Sequence, residues 1–187
     1  MQSNRLSILM EVAIFAVIAL ILDLFIPSIG PLKITVKMIP IIIVALRRGL
    51  LPGILSGFLW GFLQFVMGNA QILTLLQFVL EYFVAFAMVG FSGVVSNALQ
   101  KTLRAEPDNV SKQILLVTSG LVLGSFLRYV IHFIAGYIFW GHYAPAGQGA
   151  AVYSLTINGT AFISETLTCI LVLVFLSGSY KRLVQVD

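Results

Sequence analysis

Long apolar runs with few charged residues recur along this chain, and they constrain its fold more than any other feature. The first run, residues 8–26, has about the 20 residues that a helix needs to cross the hydrocarbon core of a bilayer. Of the 187 residues, 59% are hydrophobic and 10% are charged, whereas soluble domains carry roughly a quarter charged residues. Lipid must therefore be the solvent of much of this surface, and we predict an all-α integral membrane protein.

Six transmembrane helices are predicted from these runs and from the Gly- and Pro-rich breakers between them. Arg5 precedes the first run as in a signal peptide, but the run is too long for one and no small-residue cleavage site follows. The second helix has the least typical sequence, because it is short, contains Lys37 and has Pro40 near its start. The predicted ranges are 8–26, 34–48, 51–67, 72–98, 112–141 and 150–177, within one transmembrane domain that spans residues 1–187.

The distribution of lysine and arginine predicts the orientation, because these residues are concentrated in cytoplasmic connections. With a cytoplasmic N-terminus and six crossings, eight of them lie inside and only Lys33 and Lys37 lie outside. We therefore predict that both termini are cytoplasmic. The eight are Arg5, Arg47, Arg48, Lys101, Arg104, Lys112, Lys181 and Arg182.

Three polar side chains on different predicted helices, Glu81, His132 and Asn158, share one depth. An ionisable group in lipid costs about 2.5–3.5 kcal/mol on insertion scales, so such residues are candidates for a functional site. Counted from the outer helix ends at 1.5 Å per residue, each lies about 12–14 Å below the outer surface. Convergent polar groups in an apolar body are typical of a small-ligand site.

The fifth predicted helix carries Arg128, His132, Gly136 and Trp140 at every fourth position, so they share one face. Gly136 removes a side chain between two large ones. The missing side chain at Gly136 is equally consistent with two interpretations. It could leave a flat space in front of the imidazole and the indole, or it could let a neighbouring helix pack closely.

Other charged residues have structural interpretations. Arg128 and Glu165 match in depth, about 20–22 Å from the outer face, which favours a structural ion pair. Glu11 and Asp23 lie near helix ends, where snorkelling to the interface is expected.

Aromatic residues near helix ends commonly form an interfacial belt, and Tyr82, Trp140 and Tyr153 fit that description. Trp60 lies deeper, about seven residues below the outer end of its helix. A carboxylate combined with aromatic faces is how proteins hold a delocalised organic cation. Together with Glu81, these aromatic residues indicate a site for such a cation.

Several activities lack their sequence signature. No G-x-x-x-x-G-K-[ST] phosphate loop is present, no Cys/His cluster has metal-ligand spacing, and a net charge of +4 does not indicate nucleic acid binding. Gly90-Phe91-Ser92-Gly93 matches the nucleophile motif of rhomboid intramembrane proteases, with His132 as its base. Ser92 would however lie about 16 Å from His132 along the membrane normal, so we favour a small-residue packing face.

Motifs along nearly the whole chain resemble the thiamine-specific S components of energy-coupling factor (ECF) vitamin transporters. Each motif is weak alone, and the set is specific. The motifs are Ile39-Pro40, Arg47-Arg48-Gly49, Trp60-Gly61, Glu81-Tyr82, Gly124 to Tyr129, His132, Gly136, Trp140-Gly141, Ala144-Pro145, Tyr153-Ser154-Leu155 and Asn158.

This resemblance implies a six-helix S-component fold in a bacterial cell membrane, with thiamine bound in the outer half beneath the loop between the first two helices. It implies no enzymatic activity, no cofactor or metal, and no ATPase of its own. Transport would need a T component and two ABC ATPase subunits, with the S component toppling in the membrane.

The same resemblance assigns roles to residues of this chain. Trp140 would stack on the thiazolium, and Trp60 and Tyr82 would complete the wall of the site. The aminopyrimidine would be surrounded by Glu81, His132, Tyr153 and Asn158, beside Gly136.

Two departures from the family pattern concern docking and the lid. Ala13, Ala16 and Ala19 give the first helix a small-residue face, without the strict A-x-x-x-A spacing that docks the T component in other members. Pro31-Leu32-Lys33 and Gln71 stand where some members have aromatic residues. The alternatives are an S component for riboflavin or a thiamine precursor, the serine protease, and a purely structural subunit.

Overall fold

Helices account for nearly all of the regular structure in the computed structural model, which describes residues 2–25 and 34–186. The predicted all-α fold is confirmed, and α7 was not predicted. The predicted lid, residues 27–33, lies outside the described residues. The helices are α1 (Gln2–Phe25), α2 (Ile39–Arg48), α3 (Leu50–Val66), α4 (Leu75–Ala105), α5 (Val110–Phe139), α6 (Ala150–Phe175) and α7 (Tyr180–Val184).

The second helix is shorter than predicted and lies at the centre of the bundle. It begins at Ile39 rather than at residue 34, because Pro40 has no N–H to donate and therefore occupies the first turn. Its ten residues span about 15 Å, and every residue from Ile39 to Leu46 is buried. Gly49, with φ of 94°, makes the one-residue break between α2 and α3.

Four described helices are long and apolar enough to cross a membrane, namely α1, α4, α5 and α6. Helix α3 is apolar but has only 17 residues, and α2 covers about half of a hydrocarbon core roughly 30 Å thick. Six crossings with both termini inside therefore stay a prediction.

Glycines on α3 bring its backbone into contact with α4. A Cβ atom on Gly57 would lie 2.3 Å from the carbonyl oxygen of Phe86, and one on Gly61 would lie 1.6 Å from that of Tyr82. Gly53 faces Gly90 in the same way. Small residues spaced by four let two membrane helices approach this closely, so α3 positions the part of α4 that carries Glu81.

The other side of α4 packs on glycines of α5. Gly124 lies against Ser92 and against the carbonyl oxygen of Val89. Ser92 is fully buried and its hydroxyl donates to that carbonyl. Because Gly124 and His132 are eight residues apart on one helix, Ser92 lies about 12 Å from the level of His132. This geometry agrees with the packing interpretation of Ser92 and provides no nucleophile and base in contact.

Basic residues gather at one end of the bundle. The guanidinium of Arg48 donates to both carboxylate oxygens of Glu11, and Arg47 lies 3.3 Å from the same carboxylate. Glu11 is therefore paired rather than only reaching the interface. Arg104 donates to the carbonyl oxygen of Val186 at this end.

Candidate functional site

A cavity of about 490 Å³ opens at the end of the bundle opposite these arginines. Seven of the eight predicted site residues line it, and Trp60 is the exception. The predicted convergence of Glu81, His132 and Asn158 is therefore present in the structure. The lining consists of Asp23, Lys37, Gln64, Asn69, Gln71, Glu81, Tyr82, Phe86, Arg128, His132, Gly136, Trp140, Tyr153, Ser154, Ile157 and Asn158.

Glu81 lies in a π-helical turn of α4, Val79–Val84, a type of local widening that is frequent at functional sites. Both of its carboxylate oxygens accept hydrogen bonds. Trp140 Nε1 donates to Oε1 at 3.0 Å, and Gln77 Nε2 donates to Oε2. Gln77 is itself fully buried and is fixed by the backbone of Gln71 and Leu73. The carboxylate is therefore oriented before any ligand arrives.

The four predicted residues on one face of α5 all reach the cavity. His132 Nε2 accepts a weak hydrogen bond from Arg128 Nε at 3.4 Å. Trp140, at the last turn, places its ring beside Glu81 and 5.6 Å from the ring of Tyr143. The spacing of four therefore predicted the orientation of this face correctly.

Gly136 has the packing role that was one of the two interpretations left open by the sequence, and the flat space in front of the imidazole and the indole stays a prediction. It lines the cavity, and a Cβ atom there would lie 2.4 Å from Ser154 Oγ and 2.9 Å from Asn158 Nδ2. Asn158 Nδ2 donates to the carbonyl oxygen of His132 at 3.3 Å across this contact. The absence of a side chain at Gly136 thus brings α6 close enough to fix Asn158.

Tyr82 and Tyr153 add two aromatic side chains from different helices to the wall. The Tyr82 hydroxyl accepts a hydrogen bond of 2.8 Å from the backbone N–H of Gln71, and its ring stacks on Phe86 at 5.8 Å. Tyr153 lies in the first turn of α6 and lines the cavity. Aromatic faces and a carboxylate therefore share one space.

Trp60 lies in a second layer behind the cavity wall. It is fully buried, and its ring lies 4.3 Å from that of Phe86. The Arg128 guanidinium lies 4.8 Å from the Trp60 ring and 4.6 Å from the Phe86 ring. Trp60 thus supports Phe86 and Arg128, both of which line the cavity.

The ion pair between Arg128 and Glu165 stays a prediction, and the structure adds two hydrogen-bond donors to this carboxylate. Glu165 accepts hydrogen bonds from Thr35 and from the Tyr129 hydroxyl. The prediction rested on depth alone. Tyr129, whose side chain points about 100° from that of Arg128 around α5, donates one of these hydrogen bonds to Glu165. Arg128 is 2% exposed, and no described residue accepts a hydrogen bond from its Nη1.

Sequence reasoning missed Asp23, Lys37 and Gln64. Asp23 was interpreted as snorkelling, but it lines the cavity, where its Oδ1 accepts a hydrogen bond of 2.6 Å from Lys37 Nζ. Gln64 donates to its other oxygen. Opposite charges on the two sides of one short outer connection are the signal that could have found this pair.

Metal chemistry has no candidate ligands in the described ranges, where no three His, Cys, Asp or Glu side chains come together. The cavity can instead hold an organic molecule. Its carboxylate and aromatic rings suit a flat cation, and its amide, imidazole and guanidinium groups supply hydrogen bonds that fix orientation.

Comparisons with known proteins show which family the chain is similar to. The thiamine transporter protein family (Thia_YuaJ) matches residues 9–185. The chain is 37% identical over its full length to the thiamine transporter ThiT of Lacticaseibacillus paracasei, of which 94% is covered. It is 36% identical to ThiT of Bacillus subtilis, with 98% of that protein covered.

A solved structure of ThiT from Listeria monocytogenes superposes with a TM-score of 0.91 at 35% identity, covering 98% of this chain and 100% of the other. This match confirms the S-component fold that the sequence resemblance implied.

Proposed function

Because this chain belongs to the thiamine transporter protein family, we propose that it is the thiamine-binding S component of an ECF importer. It is a multi-pass bacterial membrane protein. In our proposal it captures thiamine from outside the cell and delivers it to a T component and two ABC ATPase subunits. The observation that best supports this proposal is the Glu81 carboxylate. Both of its oxygens accept hydrogen bonds, and it lies in a cavity lined in part by aromatic rings.

The two rings of thiamine suit different side chains of the cavity lining. Its thiazolium ring is a permanent, delocalised cation, which is attracted by an aromatic face and by a carboxylate. Glu81 and Trp140 are half-buried, which strengthens both attractions because less water screens them than at the surface. We assign the thiazolium to Trp140, with Tyr82 and the second-layer Trp60 supporting the wall.

The aminopyrimidine ring carries hydrogen-bond donors and acceptors, which match a different group of side chains. We assign it to Glu81, His132, Tyr153 and Asn158. Three of these four come from α5 and α6, whose contact at Gly136 fixes them relative to each other. Specificity for such a ring follows because an unmatched buried polar group costs about 1–3 kcal/mol.

Energy for transport would come from other subunits. The sequence contains no phosphate-binding loop of the Walker type, which supports a binding subunit without its own ATPase. The basic end of the bundle, opposite the cavity, is the cytoplasmic end in this proposal, since arginine and lysine favour that side.

A titration of thiamine into the detergent-purified protein tests the proposal. Tryptophan fluorescence reports from only two positions, Trp60 and Trp140, and Trp140 borders the cavity. We expect saturable quenching with a dissociation constant below about 1 µM, that is, binding stronger than about −8 kcal/mol. No saturation by about 10 µM thiamine would overturn the thiamine assignment.

The same protein separates the alternatives when thermal unfolding is followed with each ligand, since at equal concentration the ligand that binds more tightly stabilises the fold more. Riboflavin and the isolated aminopyrimidine are expected to raise the melting temperature less than thiamine does at equal concentration. A larger shift with either one would identify an S component for that ligand instead.

Replacing Gly136 with Ala is expected to weaken thiamine binding by about tenfold, or 1.4 kcal/mol. The new methyl group would lie within 3 Å of Ser154 Oγ and Asn158 Nδ2, so Asn158 must move away from the ligand. Isothermal titration calorimetry checks the affinity. Gly149→Ala is the matched control, because no atom lies within 4 Å of a Cβ there; equal effects of the two changes would contradict the role of Gly136.

A further inference from the structure

A charged pair that the family assignment does not use lies in the wall of the cavity. Lys37 Nζ is 2.6 Å from Asp23 Oδ1, and the two side chains are 7% and 19% exposed. The second carboxylate oxygen of Asp23 accepts from Gln64 Nε2, and Gln64 Oε1 accepts from Asn69 at 3.2 Å. The pair is therefore fixed in position and largely shielded from water.

The acidic and basic residues of the cavity lining are equal in number. Two acidic residues, Asp23 and Glu81, line it together with two basic residues, Lys37 and Arg128. Taking such groups out of water costs several kcal/mol per ion unless each is well paired. Lys37 is paired by Asp23, so its ammonium is not available to a second anion without competition.

The pair lines the same cavity as the groups that we assign to the vitamin, but it comes from other elements of the fold. Those groups come from α4, α5 and α6 at the cavity surface, whereas Asp23, Lys37 and Gln64 come from α1, from the turn before α2, and from α3. A ligand whose rings are held by the first set of elements directs its remaining end to the second. For thiamine, that end is the hydroxyethyl arm, where phosphate is esterified.

We propose that the Asp23–Lys37 pair determines selectivity between thiamine and its phosphate esters, with Asp23 as the residue that excludes the esters. A phosphate monoester carries a charge of about −1.5 to −2 near pH 7. Next to the pair it meets the Asp23 carboxylate and a lysine that this carboxylate already neutralises. Like charge at close range disfavours the phosphate, whereas the neutral hydroxyl of thiamine has no such cost. This inference rests on the proposed function.

Asp23→Asn tests the inference directly, since it removes the negative charge and keeps an oxygen that can accept from Gln64. Dissociation constants for thiamine and thiamine monophosphate are measured by calorimetry on the purified protein, and their ratio is compared with that of the unaltered protein. Because Lys37 is then no longer neutralised in a cavity that holds a cation, we expect thiamine itself to bind less tightly, while the ratio of the two constants shifts at least about tenfold in favour of the monophosphate.

Two further variants make the result specific to Lys37. In the double variant Asp23→Asn/Lys37→Met, the gain for the monophosphate is expected to disappear. In Lys37→Met alone, Asp23 is left unneutralised, and the monophosphate is expected to bind about tenfold more weakly relative to thiamine. Either single variant decides the question if the other does not fold, as judged by its melting curve.

The possible failures are distinguishable. If the unaltered protein binds thiamine and both single variants leave the ratio within about twofold of its original value, the pair does not set selectivity and this inference alone is overturned. If the unaltered protein binds neither compound, the proposed function and this inference are both overturned. A gain that survives in the double variant would show that Lys37 is not the attracting cation.

Discussion

Glu81→Gln is expected to weaken thiamine binding by at least about a hundredfold, or 2.7 kcal/mol. The change keeps the size of the side chain and removes the charge that faces the proposed cation. Truncating one partner of a buried, hydrogen-bonded charge pair typically costs about 2–5 kcal/mol. A second cost arises from geometry, because Gln77 and Trp140 both donate to Glu81 and a glutamine offers only one acceptor oxygen. Its NH₂ group would face one of these donors.

Calorimetry with the detergent-purified variant measures this effect, and Glu106→Gln is the control. Glu106 is an exposed glutamate at the other end of α4, where it pairs with Lys112, and its replacement is expected to leave affinity unchanged. A Glu81→Gln protein that binds thiamine within about threefold of the original would contradict the role of this carboxylate.

Gly61→Ala is expected to lower the stability of the protein by several kcal/mol, beyond the 1–3 kcal/mol typical of overpacking. The new Cβ atom would lie 1.6 Å from the carbonyl oxygen of Tyr82 and 2.7 Å from its carbonyl carbon. Both are backbone atoms, so no side-chain rotation relieves the overlap. Helices α3 and α4 would have to separate, which also displaces Glu81 from its partners.

Thermal unfolding in detergent and the yield of monodisperse protein check this expectation. Gly159→Ala is the matched control, because the nearest atom to a Cβ there is Leu155 Cδ1 at 3.8 Å, an ordinary contact. We expect Gly159→Ala to leave the melting temperature nearly unchanged. A Gly61→Ala protein that melts like this control would mean that α3 and α4 do not approach as closely as described.

Sequence reasoning predicted the helices and the depth of the central residues. A helix that crosses a membrane runs roughly along the membrane normal, so the position of a residue in the sequence gives its depth. Glu81, His132 and Asn158 could be placed at one level from helix ends and the rise per residue alone. The spacing of four residues likewise predicted that Arg128, His132, Gly136 and Trp140 lie on one face of α5. These inferences depend on local geometry, which the chain itself determines.

Depth does not determine the direction in which a side chain points around its helix. Arg128 and Glu165 share a depth, and the neighbour of Arg128 on α5, Tyr129, donates to Glu165. Trp60 lies behind Phe86 for the same reason, although its depth suits a wall position. The π-helical turn at Val79–Val84 adds a further rotation that no residue of that segment signals. Pairing between Asp23 and Lys37 required knowing that α1 and the start of α2 come together.

The glycine contacts on both sides of α4 have a mechanical consequence. Where backbone touches backbone, as at Gly57 and Gly124, no rotamer can absorb a displacement, so α4 cannot shift at its Glu81 end without moving α3 and α5 with it. Helix α4 is therefore held between two neighbours at these backbone contacts. Its far end is held as well, because Arg104 donates to the carbonyl oxygen of Val186, so α4 is tied to other parts of the chain both beside the cavity and at the basic end.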